Sequence, residues 1–176
     1  MNQHTRDSWN HGLFYEMEYW IEYLVTHGQQ WKEDFKMRVD PKSPLRENLI
    51  IDRLNEINSD SISILDVGAG PMTVIGKVFS GKNLNITAID PLADKFNRIL
   101  KNLHIIPPVR TIQCQGEELL QNFNAQSYDF AYARNSIDYS CDPLFIIKSM
   151  FTLVKKNRWV LLKHNYSFEF QGARLL

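Results

Sequence analysis

The chain has 176 residues, of which 44% are hydrophobic and 23% charged, and its 20 basic residues balance its 20 acidic ones. This is the composition of one ordinary globular domain, and the lack of net charge argues against nucleic acid or an anionic membrane surface as a partner. No apolar stretch has the length of a membrane span and no secretory leader is visible, so we expect a cytoplasmic protein. The two cysteines and five scattered histidines predict neither a disulfide nor a metal site.

Helical periodicity dominates the first part of the chain. Between Phe14 and Leu24 apolar residues recur at three- and four-residue steps, which predicts a helix that ends near Gly28. A short second helix is predicted over residues 31–37 and a third over residues 45–57, with a proline-rich break between them. We expect residues 1–44 to form a helical cap on a sheet domain that spans residues 45–176.

From residue 61 onward, short apolar runs alternate with amphipathic segments. Such runs are typical of parallel strands covered on both faces, and the alternation predicts an α/β fold with a doubly wound, mainly parallel sheet. The predicted strands are residues 62–67, 85–89, 109–114, 128–133 and 159–163, and the predicted helices are residues 73–79, 92–103, 117–123 and 143–155.

A glycine-rich turn follows the first predicted strand, with Asp66 near the strand end and Gly68 and Gly70 after it. Glycines here permit positive φ and the close approach of a ligand, and N–H groups at the start of a following helix can hold polar ligand atoms. The alternative is a tight turn without a ligand. Thr73 stands where a dinucleotide fingerprint requires glycine, which disfavours a nicotinamide-dependent oxidoreductase. The Asp66 carboxylate favours a ligand with a cationic amine instead.

A second carboxylate ends the next predicted strand. Asp90 lies twenty residues after Gly70 and is followed by Pro91. A carboxylate at the tip of a neighbouring strand can accept hydrogen bonds from both hydroxyls of a ribose. Asp followed by Pro is also typical of a helix N-cap and first helical position. The two roles are compatible, and both stay open at this point.

Several segments, in chain order, resemble the motifs of class I S-adenosylmethionine-dependent methyltransferases. Residues 65–70 and 89–90 resemble the first two motifs, residues 114–119 the segment after strand three, residues 127–136 the strand-four motif, and residues 142–162 the fifth-strand region. The resemblance implies a Rossmann-like sheet with five recognisable strands in the order 3-2-1-4-5. Only twelve residues follow His164, so we expect strands six and seven to be lacking and the open sheet edge to favour a homo-oligomer.

The resemblance further implies S-adenosylmethionine as the cofactor and S-adenosylhomocysteine as its product. It places Asp66 near the methionine end, Asp90 at the ribose hydroxyls and Arg134 near the sulfonium. The other cofactor-binding residues that it implies are Gly68, Ala69 and Gly70 beneath the cofactor, and Pro91, Leu92, Gln115, Gly116 and Glu117 around the adenine.

The acceptor site is predicted from weaker signals. Tyr15, Tyr19 and Tyr23 recur at four-residue steps on one helix face, away from the apolar stripe, and are candidates for the acceptor pocket. The candidate catalytic residues are Asp138, Tyr139 and His164, of which the histidine could act as a general base. A lone histidine is more often structural or solvated, so that alternative stays open for His164.

We therefore predict a methyltransferase that acts on a small-molecule acceptor. A sugar or another hydroxyl-bearing metabolite is the first hypothesis, from the similarity of residues 163–165 to glycan-modifying relatives. The neutral charge and the lack of a basic stripe argue against DNA or RNA as the acceptor. The alternative is a non-catalytic module with the methyltransferase fold that serves binding or assembly.

Overall fold

The computed structural model describes residues 3–164, and their side chains from residue 12 onward. Three helices come first: α1 (Gln3–Val25), α2 (Lys32–Val39) and α3 (Asn48–Asn55). The predicted stop at Gly28 agrees with the structure, because Gly28 has a φ of 103° and its N–H donates to the carbonyl of Tyr23 at 2.7 Å. Within residues 3–164, no helix has both the length and the apolar character that crossing a membrane requires.

Five parallel strands form one sheet in the order β3-β2-β1-β4-β5, which confirms the predicted fold class and strand order. The strands are β1 (Ser61–Val67), β2 (Asn83–Asp90), β3 (Ile112–Gln113), β4 (Tyr128–Arg134) and β5 (Val154–Lys163). The helices between them are α4 (Ala93–Asn102), α5 (Leu119–Asn122) and α6 (Pro143–Leu153), with single 3₁₀ turns at Gly116–Glu118 and Ile137–Tyr139.

Both faces of the sheet are covered, as the continuous apolar runs predicted. Successive strand residues point to opposite faces, so Ile64 and Leu65 of β1 enter different core clusters. Leu65 packs with the helices on one face, including Met150 of α6. Ile64 packs on the other face with Ile50 and Leu54 of α3. The central strands are therefore fixed from both sides, and their carboxyl ends form a rigid edge.

The N-terminal helices pack against the helix that follows β2. Trp20, Tyr23 and Leu24 of α1 share one core cluster with Phe35 of α2 and Phe96 of α4. This contact places α1 beside the carboxyl ends of the strands. The division of the chain into a cap over residues 1–44 and a sheet domain over residues 45–176 stays a prediction.

The predicted helix over residues 73–79 is wrong. The Thr73 hydroxyl accepts the N–H of Ile75 at 3.0 Å, and the N–H groups of Lys77 and Val78 donate to the carbonyl of Ser43 at 2.7 and 3.1 Å. The backbone N–H groups of Lys77 and Val78 therefore pair with residue 43 and make no helical bonds within the segment. Three β-branched residues followed by a glycine have weak helix propensity, so this tertiary pairing prevails.

Other predicted bounds also differ from the structure. α3 spans Asn48–Asn55 and not residues 45–57, and β5 begins at Val154, five residues before the predicted start.

The third strand and the helix after it are shorter than predicted. The third strand contains only residues 112–113, and just before it the side-chain amide of Asn97 donates to the carbonyl of Thr111 at 3.0 Å. The helix predicted at 117–123 becomes a 3₁₀ turn followed by α5. Among the described residues, β5 is the outer strand on its side of the sheet. Residues 165–176 lie outside the described residues, and self-association at this edge stays a prediction.

Candidate functional site

A cavity of about 1290 Å³ lies at the carboxyl ends of β1, β2 and β4, with α1 and α2 forming its outer wall. This is the point where the strand order reverses between β1 and β4, and ligands of open α/β sheets bind at such points. The volume exceeds the roughly 300–1,000 Å³ of a typical ligand pocket. The cavity therefore has room for two small molecules side by side.

Most of the site residues predicted from the sequence line this cavity. Fifteen of the seventeen predicted site residues line it, from the segments after β1, β2, β3 and β4 and from α1. Gly70 and His164 do not line it. Gly70 supports the wall from behind, since its N–H donates to the Asp90 carboxylate at 3.0 Å. His164 lies outside the wall, with its Nε2 3.8 Å from Oδ1 of the wall residue Asp138.

The glycine turn is held by protein atoms. Gly68 and Gly70 have φ values of 71° and 66°, which confirms the positive φ expected there. The N–H groups of Gly68 and Ala69 both donate to the carbonyl of Ile89, at 2.9 and 3.0 Å. No helix begins after the turn. The expectation that N–H groups at the start of a following helix hold polar ligand atoms is therefore wrong, because that helix does not form. The predicted contact of Gly68 and Ala69 with the cofactor stays a prediction.

Neighbouring side chains explain why glycine is required in this turn. A Cβ atom on Gly68 would lie 2.2 Å from the Cβ of Ser136, and one on Gly70 would lie 2.7 Å from the Trp20 ring. Gly116 has the same property, with Ile146 2.4 Å from its Cβ position. Trp20 thus packs directly against Gly70, and the predicted contact of Gly70 with the cofactor stays a prediction.

Asp66 is the most deeply buried charged group of the site, with 2% of its surface exposed. The hydroxyl of Thr73 donates to its Oδ2 at 2.5 Å. Burial raises the pKa of the Asp66 carboxyl to about 6, and the Thr73 hydrogen bond and the nearby Arg38 act in the opposite direction. The carboxylate is therefore costly to ionise in the free protein, and a cationic ligand would stabilise its charged form.

Asp90 is held by two backbone groups. Its Oδ2 accepts the N–H of Gly70 at 3.0 Å and its Oδ1 accepts the N–H of Leu92 at 2.8 Å. Burial raises the pKa of this carboxyl to about 6, although both hydrogen bonds lower it. Leu92 is the N-cap residue of α4, so the alternative interpretation of Asp90 as that cap is wrong. Asp90 instead closes a turn two residues ahead of it and faces the cavity.

Arg38 is a site residue that sequence reasoning missed. Its Nε lies 2.6 Å from Oδ2 of Asp34, and its Nη1 donates to the carbonyl of Met72. The guanidinium lies 5.3 Å from the ring centroid of Trp20 and 5.9 Å from that of Tyr23. Although burial alone would raise it, Arg38 holds the pKa of Asp34 below its usual value. Nothing in the sequence of α2 brings Arg38 to Asp66; the packing of α2 against α1 does.

The three predicted acceptor-site tyrosines differ in their surroundings. Tyr23 is 1% exposed, and its hydroxyl donates to Asp34 at 2.7 Å. Tyr15 and Tyr19 are 58% and 43% exposed and present their rings at the cavity. Burial raises the pKa of Tyr23 far above its ordinary range, so this phenol stays protonated. Tyr23 therefore has a packing role as well as a place in the wall.

Glu16 is the second residue that was missed. Its Oε1 accepts the indole N–H of Trp20 at 2.7 Å, and both residues line the cavity. Burial raises the pKa of the Glu16 carboxyl, and the nearby Asp138 carboxylate raises it further. Asp138 and Tyr139 line the same end of the cavity. The four-residue spacing between Glu16 and Trp20 is a signal that sequence reasoning could have used, because it places the carboxylate on the inward face of α1.

Two glutamate side chains in the segment after β3 accept hydrogen bonds from backbone N–H groups and stabilise it. Oε1 of Glu117 accepts the N–H groups of Cys141 and Asp142 at 2.9 and 3.2 Å. The N–H of Gln115 donates to the Glu118 carboxylate at 3.2 Å. Glu117 thus joins this segment to the start of α6, and Gln115, Gly116 and Glu117 form the wall between them.

The residues present fit S-adenosylmethionine, which carries an ammonium, a sulfonium and a ribose. Six carboxylates and two guanidinium groups line the cavity, an excess of negative charge that suits a cationic ligand. A carboxylate has about four lone-pair sites, of which the bonds above use two in Asp90 and one in Asp66. Both can accept further hydrogen bonds. In the described part of the chain, no cluster of three His, Cys, Asp or Glu side chains could hold a metal ion.

Comparison with known proteins identifies the family. A family model described as a methyltransferase domain matches residues 44–170, which is more than half of the chain. The chain therefore belongs to the methyltransferase-domain family, and its five parallel strands form the Rossmann-like sheet of class I S-adenosylmethionine-dependent methyltransferases. No curated protein sequence matches the chain significantly.

Solved structures of methyltransferases are similar in fold. Phosphoethanolamine N-methyltransferase 2 of Haemonchus contortus, in complex with phosphomonomethylethanolamine and S-adenosylhomocysteine, is 18% identical with a TM-score of 0.53; the match covers 90% of this chain and 35% of that one. A candidate methyltransferase from an antibiotic biosynthesis pathway of Anabaena variabilis is 19% identical with a TM-score of 0.50, covering 66% and 43%. A candidate S-adenosylmethionine-dependent methyltransferase of Methanococcus maripaludis is 14% identical with a TM-score of 0.48, covering 66% and 54%. The chain thus spans about half or less of these proteins.

Proposed function

We propose that this chain binds S-adenosylmethionine in the cavity at the strand ends and transfers its methyl group to a small-molecule acceptor, releasing S-adenosylhomocysteine. The observation that carries the proposal is the convergence of four separate sequence segments on one cavity wall. Two buried carboxylates, Asp66 and Asp90, lie at neighbouring strand tips. Burying a charged group costs free energy, and such groups are concentrated at ligand-binding and catalytic sites.

The proposed roles follow from the charges around each end of the cavity. Asp66 accepts hydrogen bonds from the ammonium of the methionine moiety. Arg134 and Arg38 lie near Asp66 and pair with the carboxylate of the methionine moiety. Asp90 accepts the ribose hydroxyls. Pro91, Leu92, Gln115, Gly116 and Glu117 form the slot for the adenine.

The bound cofactor supplies an electrophilic methyl group on a sulfonium, and the protein supplies position. In-line displacement at carbon depends largely on holding the nucleophile and the methyl group on one axis, and a rigid strand edge meets that need. The acceptor lies toward Tyr15, Tyr19, Asp138 and Tyr139, which line the same cavity. His164 beside Asp138 is a candidate proton acceptor. A sugar or other hydroxyl acceptor, as first hypothesised, stays a prediction.

Calorimetric titration of the full chain with S-adenosylmethionine and S-adenosylhomocysteine tests the proposal. We expect micromolar binding of both and no binding of NADH. Asp66→Asn should weaken the binding of S-adenosylmethionine, whereas Asp52→Asn, the same change on an exposed position of α3, should not. A folded protein that binds neither compound would contradict the proposal. Binding of both without methyl transfer to any acceptor would favour the non-catalytic module.

The affinity for S-adenosylmethionine is expected to depend on pH. Burial raises the pKa of Asp66 to about 6, so this carboxyl is protonated in the free protein below that pH, and its neutral form cannot pair with the ammonium. The dissociation constant should therefore rise as the pH falls below 6, by up to about tenfold per pH unit for one group. Titrations at pH 5, 6 and 8 measure the slope of the dissociation constant against pH. Asp66→Asn should flatten it, and an unchanged slope in that variant would assign the effect to another group.

A further inference from the structure

Two cationic side chains cross between α2 and the segment after β1, one from each side. From α2, Nη1 of Arg38 donates to the carbonyl of Met72. From the segment, Nζ of Lys77 donates to the carbonyl of Met37, the neighbour of Arg38 in α2, at 3.2 Å. Hydrogen bonds from charged donors are stronger than those between neutral groups. The two elements are therefore joined by a pair of such bonds that run in opposite directions.

Lys77 is also connected to the buried carboxylate of Asp66, the proposed partner of the cofactor ammonium. The Nζ of Lys77 donates to the carbonyl of Thr73 at 3.4 Å, and the Thr73 hydroxyl donates to Oδ2 of Asp66 at 2.5 Å. Lys77 itself does not line the cavity. Its contacts reach the site from behind the wall, through Thr73 and through α2, which carries the wall residues Asp34 and Arg38.

The ammonium of Lys77 is half-buried, and among the described side chains it forms no salt bridge. Burial and the nearby Arg38 guanidinium lower the pKa of Lys77 to about 8. Three carboxylates act in the opposite direction, those of Asp66, Asp40 and Asp34. Lys77 therefore loses its charge at a pH where the guanidinium that crosses beside it keeps its own.

We propose that Lys77 is a positioning residue of the cofactor site, whose ammonium ties α2 to the segment after β1 and so keeps Asp66 and Arg38 at their places in the cavity wall. This inference rests on the proposed function and gives the affinity for the cofactor an alkaline limit. Without the charge, the two carbonyls lose their charged donor. The affinity should therefore fall as Lys77 loses its proton, in addition to any loss caused by the amino group of the cofactor, which titrates in the same range.

Three variants test the inference by calorimetric titration with S-adenosylmethionine at pH 7. Lys77→Met removes the charge and keeps a long side chain, and it should weaken binding about tenfold, which is part of what a charged hydrogen bond contributes. Lys77→Arg keeps the charge and should bind within about threefold of the unaltered chain. Lys82→Met is the matched control and should bind as the unaltered chain does. Nζ of Lys82 likewise donates to two backbone carbonyls, those of Ile57 and Ser59, but at the amino end of β2 and outside the cavity wall.

The dependence of the affinity on pH separates positioning from a purely structural role. S-adenosylhomocysteine has the same amino group as the cofactor and lacks the reactive sulfonium, so it suits titrations from about pH 7 to 9.5. Its amino group should weaken binding equally in every variant at high pH. The unaltered chain and Lys82→Met should show an additional rise of the dissociation constant above pH 8. Lys77→Arg should lack that additional rise, because a guanidinium stays charged.

Three results would each overturn the inference: unaltered affinity in a folded Lys77→Met protein, an equal loss in Lys82→Met, or a pH profile of Lys77→Arg that matches the unaltered chain. Circular dichroism establishes that each variant is folded. If Lys77→Met does not fold, the pH profile of Lys77→Arg still decides. If the unaltered chain binds the two compounds but one of these results is found, the inference fails alone. If it binds neither compound, the proposed function fails and the inference fails with it.

Discussion

Gly68→Ala is expected to lower the free energy of unfolding by about 2–5 kcal/mol, the sum of left-handed backbone strain and overpacking. Gly68 has a φ of 71°, and an added Cβ would lie 2.2 Å from the Cβ and 2.6 Å from the Oγ of Ser136. Ser136 cannot easily move away, because its hydroxyl donates to the carbonyl of Val67 at 2.9 Å. Denaturant unfolding followed by circular dichroism measures the change.

Gly81→Ala is the matched control for this prediction. Gly81 also has a φ of 71°, but no atom lies within 4 Å of its Cβ position. Gly81→Ala should lower the free energy of unfolding only by the left-handed backbone strain, about 1–2 kcal/mol. In a double-mutant cycle, Ser136→Gly should recover part of the loss caused by Gly68→Ala, because it removes the atom that clashes. Equal destabilisation by Gly68→Ala and Gly81→Ala would show that the contact with Ser136 has no energetic consequence.

Asp90→Ala is expected to weaken the binding of S-adenosylmethionine by tens-fold or more. A hydrogen bond to a charged group contributes roughly 1.5–3 kcal/mol, and the proposed ribose contact has two of them. The substitution also removes the acceptor for the N–H groups of Gly70 and Leu92, so the turn that carries the glycines loses its support. Calorimetric titration of the folded variant measures the affinity.

Asp40→Ala is the matched control for Asp90→Ala, because it removes a similar local hydrogen bond outside the cavity. Asp40 makes the same local contact as Asp90, with its Oδ1 accepting the N–H two residues ahead, from Lys42, at 2.8 Å. It is exposed and lies outside the cavity wall. This variant should bind the cofactor as the unaltered chain does. An Asp90→Ala protein that is folded and binds with unchanged affinity would remove the ribose assignment.

Local pattern was sufficient for the parts of the fold that depend on burial alone. The apolar run at residues 62–67 predicted β1 to within one residue, because a strand covered on both faces requires such a run at any position in the sheet. Parallel strands with helices between them then bring their carboxyl ends to one edge. For that reason Asp66, Asp90 and Arg134, each placed at a strand end from sequence, line one cavity.

The segment after β1 shows where local pattern failed. Residues 73–79 have apolar residues at helical spacing, yet their backbone pairs with residues 43–45. The position of Gly76 depends on that pairing, since a Cβ there would lie 2.3 Å from the backbone of Pro44. No periodicity within seven residues can report a partner thirty residues away.

The sequence of this protein determined the class of its fold and the carboxylates at the strand ends, because hydrophobic burial and strand direction act along the chain. The strand order was implied by the resemblance of its motifs to class I methyltransferases. Only the tertiary structure decided what surrounds those carboxylates. Arg38 reaches the ring of Trp20 through the packing of α2 on α1, and the Asp138 carboxylate acts on the pKa of Glu16, which lies in a distant part of the sequence. Charges and rings interact through space, so their partners are set by how helices pack, which no short stretch of sequence encodes.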